Sequence, residues 1–397
     1  MKVGLFGGSF DPIHNGHMSM IEGALKKVDK VVVIPAVRNS FKRGRILNPA
    51  PYRYYMTSDA LGIFGEKVVI SDIEFFIPGI SYTVNTIKKL LEDDNLKKLL
   101  NTDEDIELFW ICGSDILPTF DKWYDPEGIL KLCKLLVAAR PGMDKDFEKS
   151  VRMIEERFDT HIETFDINGI MISSSEIRVD KCLIEVPNEV RDFVKTNNLY
   201  SEPNYLLHCS DEAIEKFYEY CIALYPKLSR YRLIHTINVA IEAVKFAVMY
   251  GADPDKTLIA GVLHDCVKEM PDEVQREFAL ADSGESYDVD KLWHGPGGAY
   301  YANKYLGIDD EEILNAIRFH TTGHKDMTIL EKVVYLADKI EPARDYDDLT
   351  EVRAAASKDL DKGVYLSLKA FVDKSAKKNR KLHKNTLDFA NDLGLKV

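Results

Sequence analysis

Two histidines three residues apart, His14 and His17, sit in the stretch FGGSFDPIHNGHMSMI that runs from Phe6 to Ile21. Gly7, Gly8, Ser9, Phe10 and Pro12 precede them, between the apolar run KVGLF and the helical pattern MSMIEGALKKV. On a strand-to-helix turn, glycines let the backbone approach a ligand where a Cβ would collide. A helix starting near His17 would aim its free N–H groups and positive dipole end at the same spot. The chemistry that suits is phosphate binding, with imidazoles supplementing backbone donors. H-x-x-H could also be half a metal site, but no nearby Cys or His completes it. A glycine-rich turn with a capping histidine is the plain alternative.

A second stretch, ISSSEIR (172–178), follows the apolar GIM and opens another helix. Ser173, Ser174 and Ser175 supply hydroxyls and an N-cap. Arg178 lies about one turn in, where a guanidinium can grip phosphate oxygens. Far downstream comes a different set of groups: His235, the pair His264–Asp265, His294 in WHGPGG, His320 in RFHTTG and Asp338 in YLADKIEP. Ile234, Leu263 and Leu336 beside them indicate that these polar groups point into a helical bundle. Buried imidazoles and carboxylates are costly without partners, and a divalent metal is the simplest shared partner. Imidazole and carboxylate without thiolate suit iron, manganese, cobalt or zinc, and not a Cys-type structural zinc.

The elements that must position these groups follow two grammars. In the first half, strands are expected at KVGLF, 30–35, 67–71, 106–113, 134–141 and the run INGIM, alternating with helices near 17–28, at SYTVNTIKKLLED and at VRMIEERF. Strand–helix alternation with apolar strands predicts a doubly wound parallel sheet, which binds ligands at the carboxyl ends of its strands. The charged stretch 91–105 reads as a solvated insertion. From Asp211 onward the apolar residues recur at helical spacing, predicting an all-α bundle. LYSEPNY (199–205) reads as a linker, dividing the chain into domains 1–201 and 205–397. The 397 residues exceed what one core usually serves. A formal charge of −13 argues against a nucleic-acid partner. With no leader pattern and no apolar run expected to span a bilayer, a cytoplasmic protein without a membrane partner is expected. Its six cysteines lack C-x-x-C spacing and read as reduced. The sequence leaves the oligomeric state open, a homo-oligomer included.

HNGH and ISSSEIR together resemble the signatures H-x-G-H and I-S-S-[ST]-x-[IL]-R of the nucleotidylyltransferase superfamily. GGSFDPIHNGH, SYTVNT (81–86), CGSDILPTFDKW (112–123), AARPG (138–142) and VPNEVRDFVKTNNLY (186–200) resemble, more narrowly, the nicotinate-nucleotide adenylyltransferases of bacterial NAD synthesis. That resemblance implies a Rossmann-like fold and adenylyl transfer from ATP to nicotinate mononucleotide, giving deamido-NAD and pyrophosphate. It implies that Gly7, Gly8, Ser9, Phe10, Gly113, Asp115, Ser174, Ser175 and Arg178 line the ATP site, with Mg²⁺ on the triphosphate. His14, His17, Lys42 and Arg178 would serve the transfer, and Tyr82, Thr83 and Trp123 would hold the pyridine ring. The sequence departs from the family in PAVRNSFKRG, where Phe41 stands at the place of a usual histidine before Lys42.

The order H…HD…H…H…D resembles the HD-domain phosphohydrolases. HTTG, YLADKIEPAR and HGPGGA resemble the bacterial HD hydrolases that split diadenosine tetraphosphate into two ADP. This implies that His235, His264, Asp265 and Asp338 form a core metal set, with His294 and His320 as ligands of a second ion and Asp265 as a bridge. His324 and Arg344 are candidates for phosphate contacts. Two alternatives stand beside this bifunctional reading. The HD half could only bind a nucleotide and regulate, or it could hydrolyse a guanosine polyphosphate or a deoxynucleotide.

Overall fold

The computed structural model describes residues 1–38, 46–139, 145–167, 172–180, 183–201, 203–284, 292–345 and 349–395. Lys42 lies outside them, as do most of the AARPG segment and the run 168–171. The chain divides into two compact units, Met1–Lys195 and Thr196–Val397.

Six strands of the first unit form one parallel sheet: β1 (Lys2–Gly8), β2 (Lys30–Pro35), β3 (Val68–Ile70), β4 (Glu107–Gly113), β5 (Lys134–Ala139) and β6 (Ile162–Asp166). Their spatial order is β3-β2-β1-β4-β5-β6. β1 pairs with β2 from Val3↔Lys30 to Gly8↔Pro35, and with β4 from Lys2↔Glu107 to Leu5↔Trp110. The order reverses between β1 and β4, so the crevice for a ligand opens at their carboxyl ends. The helices are α1 (Asn15–Ala24), α2 (Ala50–Leu61), α3 (Thr83–Leu91), α4 (Asn95–Leu100), α5 (Pro126–Leu132), α6 (Lys145–Phe158), α7 (Ser174–Asp180) and α8 (Asn188–Thr196). Val3, Leu5, Val32, Trp110 and Val137 pack on one sheet face with Val84 and Ile87 of α3 and Ile154 of α6. On the other face, α1 comes close enough that a Cβ on Gly23 would meet the Phe165 ring of β6 at 2.6 Å.

One expectation needs correcting here, and two elements were not anticipated. The stretch 91–105 is not wholly solvated: it contains α4, whose Leu96 and Leu100 are buried in the sheet's core. The strand Ile162–Asp166 was not anticipated, and the INGIM run after it lies, from residue 168 on, outside the described residues. Its two buried residues, Ile162 and Phe165, are three apart in a strand of five, so no period of two marks it in the sequence. α2 was not anticipated, because Pro49 and Pro51 obscure it. They stand at its N-cap and first turn, where proline is tolerated.

The second unit is helical: α9 (Asp211–Leu224), α10 (Arg230–Tyr250), α11 (Pro254–Leu263), α12 (Asp272–Ser283), α13 (His294–Leu306), α14 (Glu311–Phe319), α15 (Ile329–Ile340), α16 (Leu349–Ala356), α17 (Leu360–Lys377) and α18 (Lys384–Asp392). Contrary to expectation, one helix among the described residues is long and apolar enough to cross a membrane by length and composition: α10. Two-thirds of that apolar window is buried in the unit, against α11 and α15. Its apolar content is explained by a bundle core that it enters on several sides, with Leu233, Ile237, Val244 and Phe246 all at or below 1% exposure. The five described cysteines are free thiols, and burial pushes Cys112, Cys133, Cys209 and Cys266 up to about 12.

Candidate functional sites

The first site lies at the carboxyl ends of β1 and β4. Gly7 and Gly8 end β1, and neither has room for a side chain. A Cβ would meet the Trp110 ring at 2.6 Å from Gly7 and the Phe10 ring at 2.8 Å from Gly8. Phe10 is buried, takes a positive φ of 46°, and packs edge-on against His17 with ring centres 5.0 Å apart. His14 caps α1, and its backbone N–H donates to His17 Nδ1 at 3.2 Å. The two imidazoles overlap at 3.7 Å between centres. His14 Nδ1 is buried with no hydrogen-bond partner among the described residues. Burial lowers His14 to about 4, with Glu176 pulling the other way, so the ring is neutral at pH 7.

The serine-rich stretch docks onto this turn. Ser174 Oγ donates to the Pro12 carbonyl at 3.0 Å. The Arg178 guanidinium donates to the Asp11 carbonyl and, at 3.0 Å, to Ser175 Oγ. The two motifs, some 160 residues apart in sequence, therefore form one locus. Nothing in the residue pattern singles out Arg53, yet it is 2% exposed and holds the locus together. Its guanidinium donates to the carbonyls of Asn48, Ser9, Ala36 and Val37 at 2.5–3.1 Å, tying the ends of β1 and β2.

Beside this locus lies a cavity of about 860 Å³ lined by Gly7, Gly8, Ser9, Tyr82, Thr83, Asp115 and Trp123, among others. His14, His17, Arg178, Phe10 and Gly113 do not line it. Gly113 instead leaves space for Asp115, whose Oδ1 would lie 2.3 Å from a Cβ there. Trp123 packs against Phe120 while facing the cavity. Tyr124 and Glu74 are among the lining residues that escaped the sequence reading. Tyr124 stacks on Tyr82 at 4.5 Å. Glu74 is buried, accepts from Val37 N at 2.9 Å and from Thr86 Oγ1 at 2.7 Å, and burial raises its carboxyl.

The second site is a convergence of side chains from α10 (His235), the end of α11 (His264 and Asp265), the start of α13 (His294), the end of α14 (His320) and α15 (Asp338). All six are buried. Asp265 stands in the middle. Its Oδ1 faces His294 Nε2 at 3.4 Å and His320 Nε2 at 3.5 Å. Its Oδ2 faces His264 Nε2 at 3.5 Å and His235 Nε2 at 3.9 Å. His235 Nε2 also lies 3.0 Å from Asp338 Oδ1. His235, His264 and Asp338 offer ligand atoms within 4.8 Å of one another, and so do His264, Asp265 and His320.

Second-layer contacts aim the rings. The carbonyls of Gly261 and Ile317 sit 2.7 Å from Nδ1 of His264 and His320. A carbonyl only accepts, so Nδ1 carries the proton and Nε2 presents its lone pair to the centre. His235 Nδ1 lies 3.1 Å from Glu341 Oε1. Glu341 in turn accepts from Asn238 Nδ2 at 2.9 Å, and the same amide donates to Asn197 Oδ1 at 2.9 Å. His264 Nε2 and Asp265 Oδ1 are buried without a hydrogen bond of good geometry among the described residues. Orphaned atoms at the focus of an imidazole–carboxylate set fit a divalent metal.

Cations ring the centre. Arg232 donates to Asp265 Oδ2 at 2.7 Å, Lys268 Nζ lies 2.9 Å from His294 Nδ1, and Lys339 pairs with Asp338. Arg344 lies 3.2 Å from His235 Nε2 and 3.4 Å from Asp338 Oδ1. Burial would raise both carboxyls, but the imidazoles around Asp265, and Lys339 with His235 at Asp338, hold them well below the usual range. Burial also drives His294 well below its ordinary value and lowers His320. His324 does not reach the centre. It pairs with the buried Glu331 at 2.7 Å and packs on Phe319.

Residues 5–180 match the cytidylyltransferase-like family, and residues 232–343 match the HD domain. A symmetrical bis(5′-nucleosyl)-tetraphosphatase of Halalkalibacterium halodurans is 38% identical over 172 residues, 42% of this chain and 91% of that protein. A protein of Clostridium novyi named "Probable nicotinate-nucleotide adenylyltransferase" is 35% identical over 207 residues, 50% of this chain and 98% of that protein. One of Mycoplasma pneumoniae, named "Probable nicotinate-nucleotide adenylyltransferase/Ap4A hydrolase", is 25% identical over 374 residues, 92% of this chain and 97% of that protein. A thiolate-free donor set with two orphaned atoms, a glycine turn braced by a distant serine–arginine helix, and relatives matched nearly end to end agree: the first half of this chain belongs to the nicotinate-nucleotide adenylyltransferases of the cytidylyltransferase-like family, and the second half to the HD-domain symmetrical bis(5′-nucleosyl)-tetraphosphatases.

Proposed function

We propose a bifunctional adenine-nucleotide enzyme. One activity transfers the adenylyl group of ATP to nicotinate mononucleotide, giving deamido-NAD and pyrophosphate. The other hydrolyses diadenosine tetraphosphate to two ADP. What supports the reading is that the chain brings each family's signature residues together: the serine–arginine helix onto the glycine–histidine turn in one half, and the imidazole–carboxylate set in the other.

In the first reaction the phosphate oxygen of the mononucleotide forms a bond to the α-phosphorus of ATP as the bond to pyrophosphate breaks. Positioning and charge neutralisation do most of the work. His14 and His17 contact the α-phosphate, and His14 Nδ1, neutral and unpartnered, is available to a phosphate oxygen. Ser174, Ser175 and Arg178 hold the outer phosphates, whose Mg²⁺ arrives with ATP, and Lys42 joins them. Gly7, Gly8, Ser9, Phe10, Gly113 and Asp115 shape the ATP site. Tyr82, Thr83 and Trp123 take the pyridine ring.

In the second reaction His235, His264, Asp265, His294, His320 and Asp338 hold one or two divalent ions, iron in the first instance, with Asp265 between the two groups. Bound there, the metal supplies Lewis acidity and water of lowered pKa. Arg232, Lys268, Lys339 and Arg344 neutralise the phosphate chain, and Glu341 fixes the His235 ring. The enzyme works on free nucleotides in the cytoplasm, through domains 1–201 and 205–397.

A product assay on the whole chain tests this. Nicotinate mononucleotide with ATP should yield deamido-NAD and pyrophosphate, and diadenosine tetraphosphate should yield ADP alone. ATP and AMP from the dinucleotide, or no dinucleotide product from the first mixture, would overturn the corresponding half.

A further inference from the structure

The metal centre opens into a cavity of about 830 Å³, and one of its walls belongs to no signature motif. His294, Asp338, Lys268, Lys339 and Arg344 stand at the metal end. The other wall is a face of α17 carrying Leu366, Ala370, Phe371, Lys374 and Lys377. Leu366, Ala370, Lys374 and Lys377 recur at three- and four-residue intervals, with Phe371 three residues before Lys374, so they share one side of the helix over about 16 Å of its length. Leu349 and Val352 of α16 extend the apolar part of the wall. Phe371 is 42% exposed, which leaves an aromatic ring available at the cavity surface. Lys369 and Asp373 of α17 also line the cavity and pair with each other at 2.8 Å, and Asp345 and Glu351 add carboxylates elsewhere on its rim, so on the α17 wall three lysines stand against one aspartate.

Symmetrical cleavage demands that the metal centre sit between two equal nucleoside diphosphate halves, so each half needs a place to lie. We propose that the Phe371–Lys374–Lys377 face of α17 is the subsite for one nucleoside diphosphate half of the substrate. A purine is a flat apolar heterocycle, and it stacks on Phe371 beside Leu349, Val352 and Ala370. Lys374 and Lys377 bring ammonium groups to its phosphates, which a Lys serves as a point charge. This subsite rests on the hydrolase reading for its substrate. Its binding chemistry, recognition of a nucleoside diphosphate, can be measured without turnover.

The experiment compares the full-length protein with Phe371→Ala and with the double variant Lys374→Glu/Lys377→Glu. ADP binding is followed by titration calorimetry, diadenosine tetraphosphate turnover by chromatography, and metal content by elemental analysis. Each variant should weaken ADP binding about tenfold, on the scale of a lost stacking or charge contact. KM for the dinucleotide should rise in parallel, more than kcat falls, and metal content should not move. ADP affinity and KM both within twofold of the wild type would overturn the subsite. Should the wild type bind ADP in a way that the variants weaken, yet leave the dinucleotide uncut, the subsite stands and the hydrolase reading falls.

Discussion

The two sites solve the same problem, holding phosphate oxygens, with different parts of the chain. The first is mostly backbone: a glycine turn, helix starts and a few side chains that brace carbonyls. The second is mostly side chain: six imidazoles and carboxylates projected from five helices. Backbone donors are fixed by the fold and carry no net charge to titrate. Side-chain ligands must be aimed one by one, and each needs its own support. Single substitutions should therefore act more sharply in the second site than in the first, and should not cross between them.

The largest expected effect is at Asp265. It is the carboxylate that faces both histidine groups, so Asp265→Ala should lower hydrolysis by at least about a thousandfold and reduce bound metal, with adenylyl transfer unchanged. Paired assays with elemental analysis decide it, and a variant with wild-type metal content would sink the bridging role. His17→Ala should cut adenylyl transfer by about a hundredfold while hydrolysis persists. Near-normal transfer by this variant would mean that the backbone alone carries the first site.

A smaller effect tests the aiming of ligands. Asn238→Ala removes a donor that holds Glu341 against His235, and should weaken metal affinity by about tenfold. A competition titration with a chelator reads this directly. An unchanged affinity would mean that Glu341 needs no such support.

The smallest effect concerns pH. The folded His14 titrates near 4, below its unfolded value of 6.5, so the folded state refuses a proton that the unfolded chain accepts. The stability linked to this group is intact above pH 6.5 and falls as pH drops toward 4. The loss between about pH 7.5 and about pH 5.5 is about 1 kcal/mol. Urea unfolding at both pH values, with His14→Asn as the comparison, should show this increment in the wild type and not in the variant.

The same contrast explains what the sequence disclosed. Imidazoles and carboxylates at the ends of apolar helices were visible because a buried polar group without a partner is anomalous wherever it stands. The strand β2 was readable to the residue, since KVVVIP is a continuous apolar run. Arg53 was invisible, because an arginine in PYRYYM looks like any exposed helix residue until the carbonyls it serves are brought together. Tyr124 and Phe371 were hidden for a similar reason: an aromatic residue shows which cavity it faces only after distant helices have packed. The charged run at 91–105 misled because two leucines among many charges suffice to anchor a helix of six residues.

Asn197 also has a practical consequence. It follows α8 directly and lies in the second unit, where its side chain accepts from Asn238, two bonds away from the ring of His235. A recombinant hydrolase fragment begun at residue 205, where the sequence first suggests a boundary, would discard it. Begun before Asn197, the fragment keeps the whole hydrogen-bonded tether. The choice of cut point, eight residues of apparently dispensable chain, thus decides whether the isolated half retains the far end of its own metal-site scaffold.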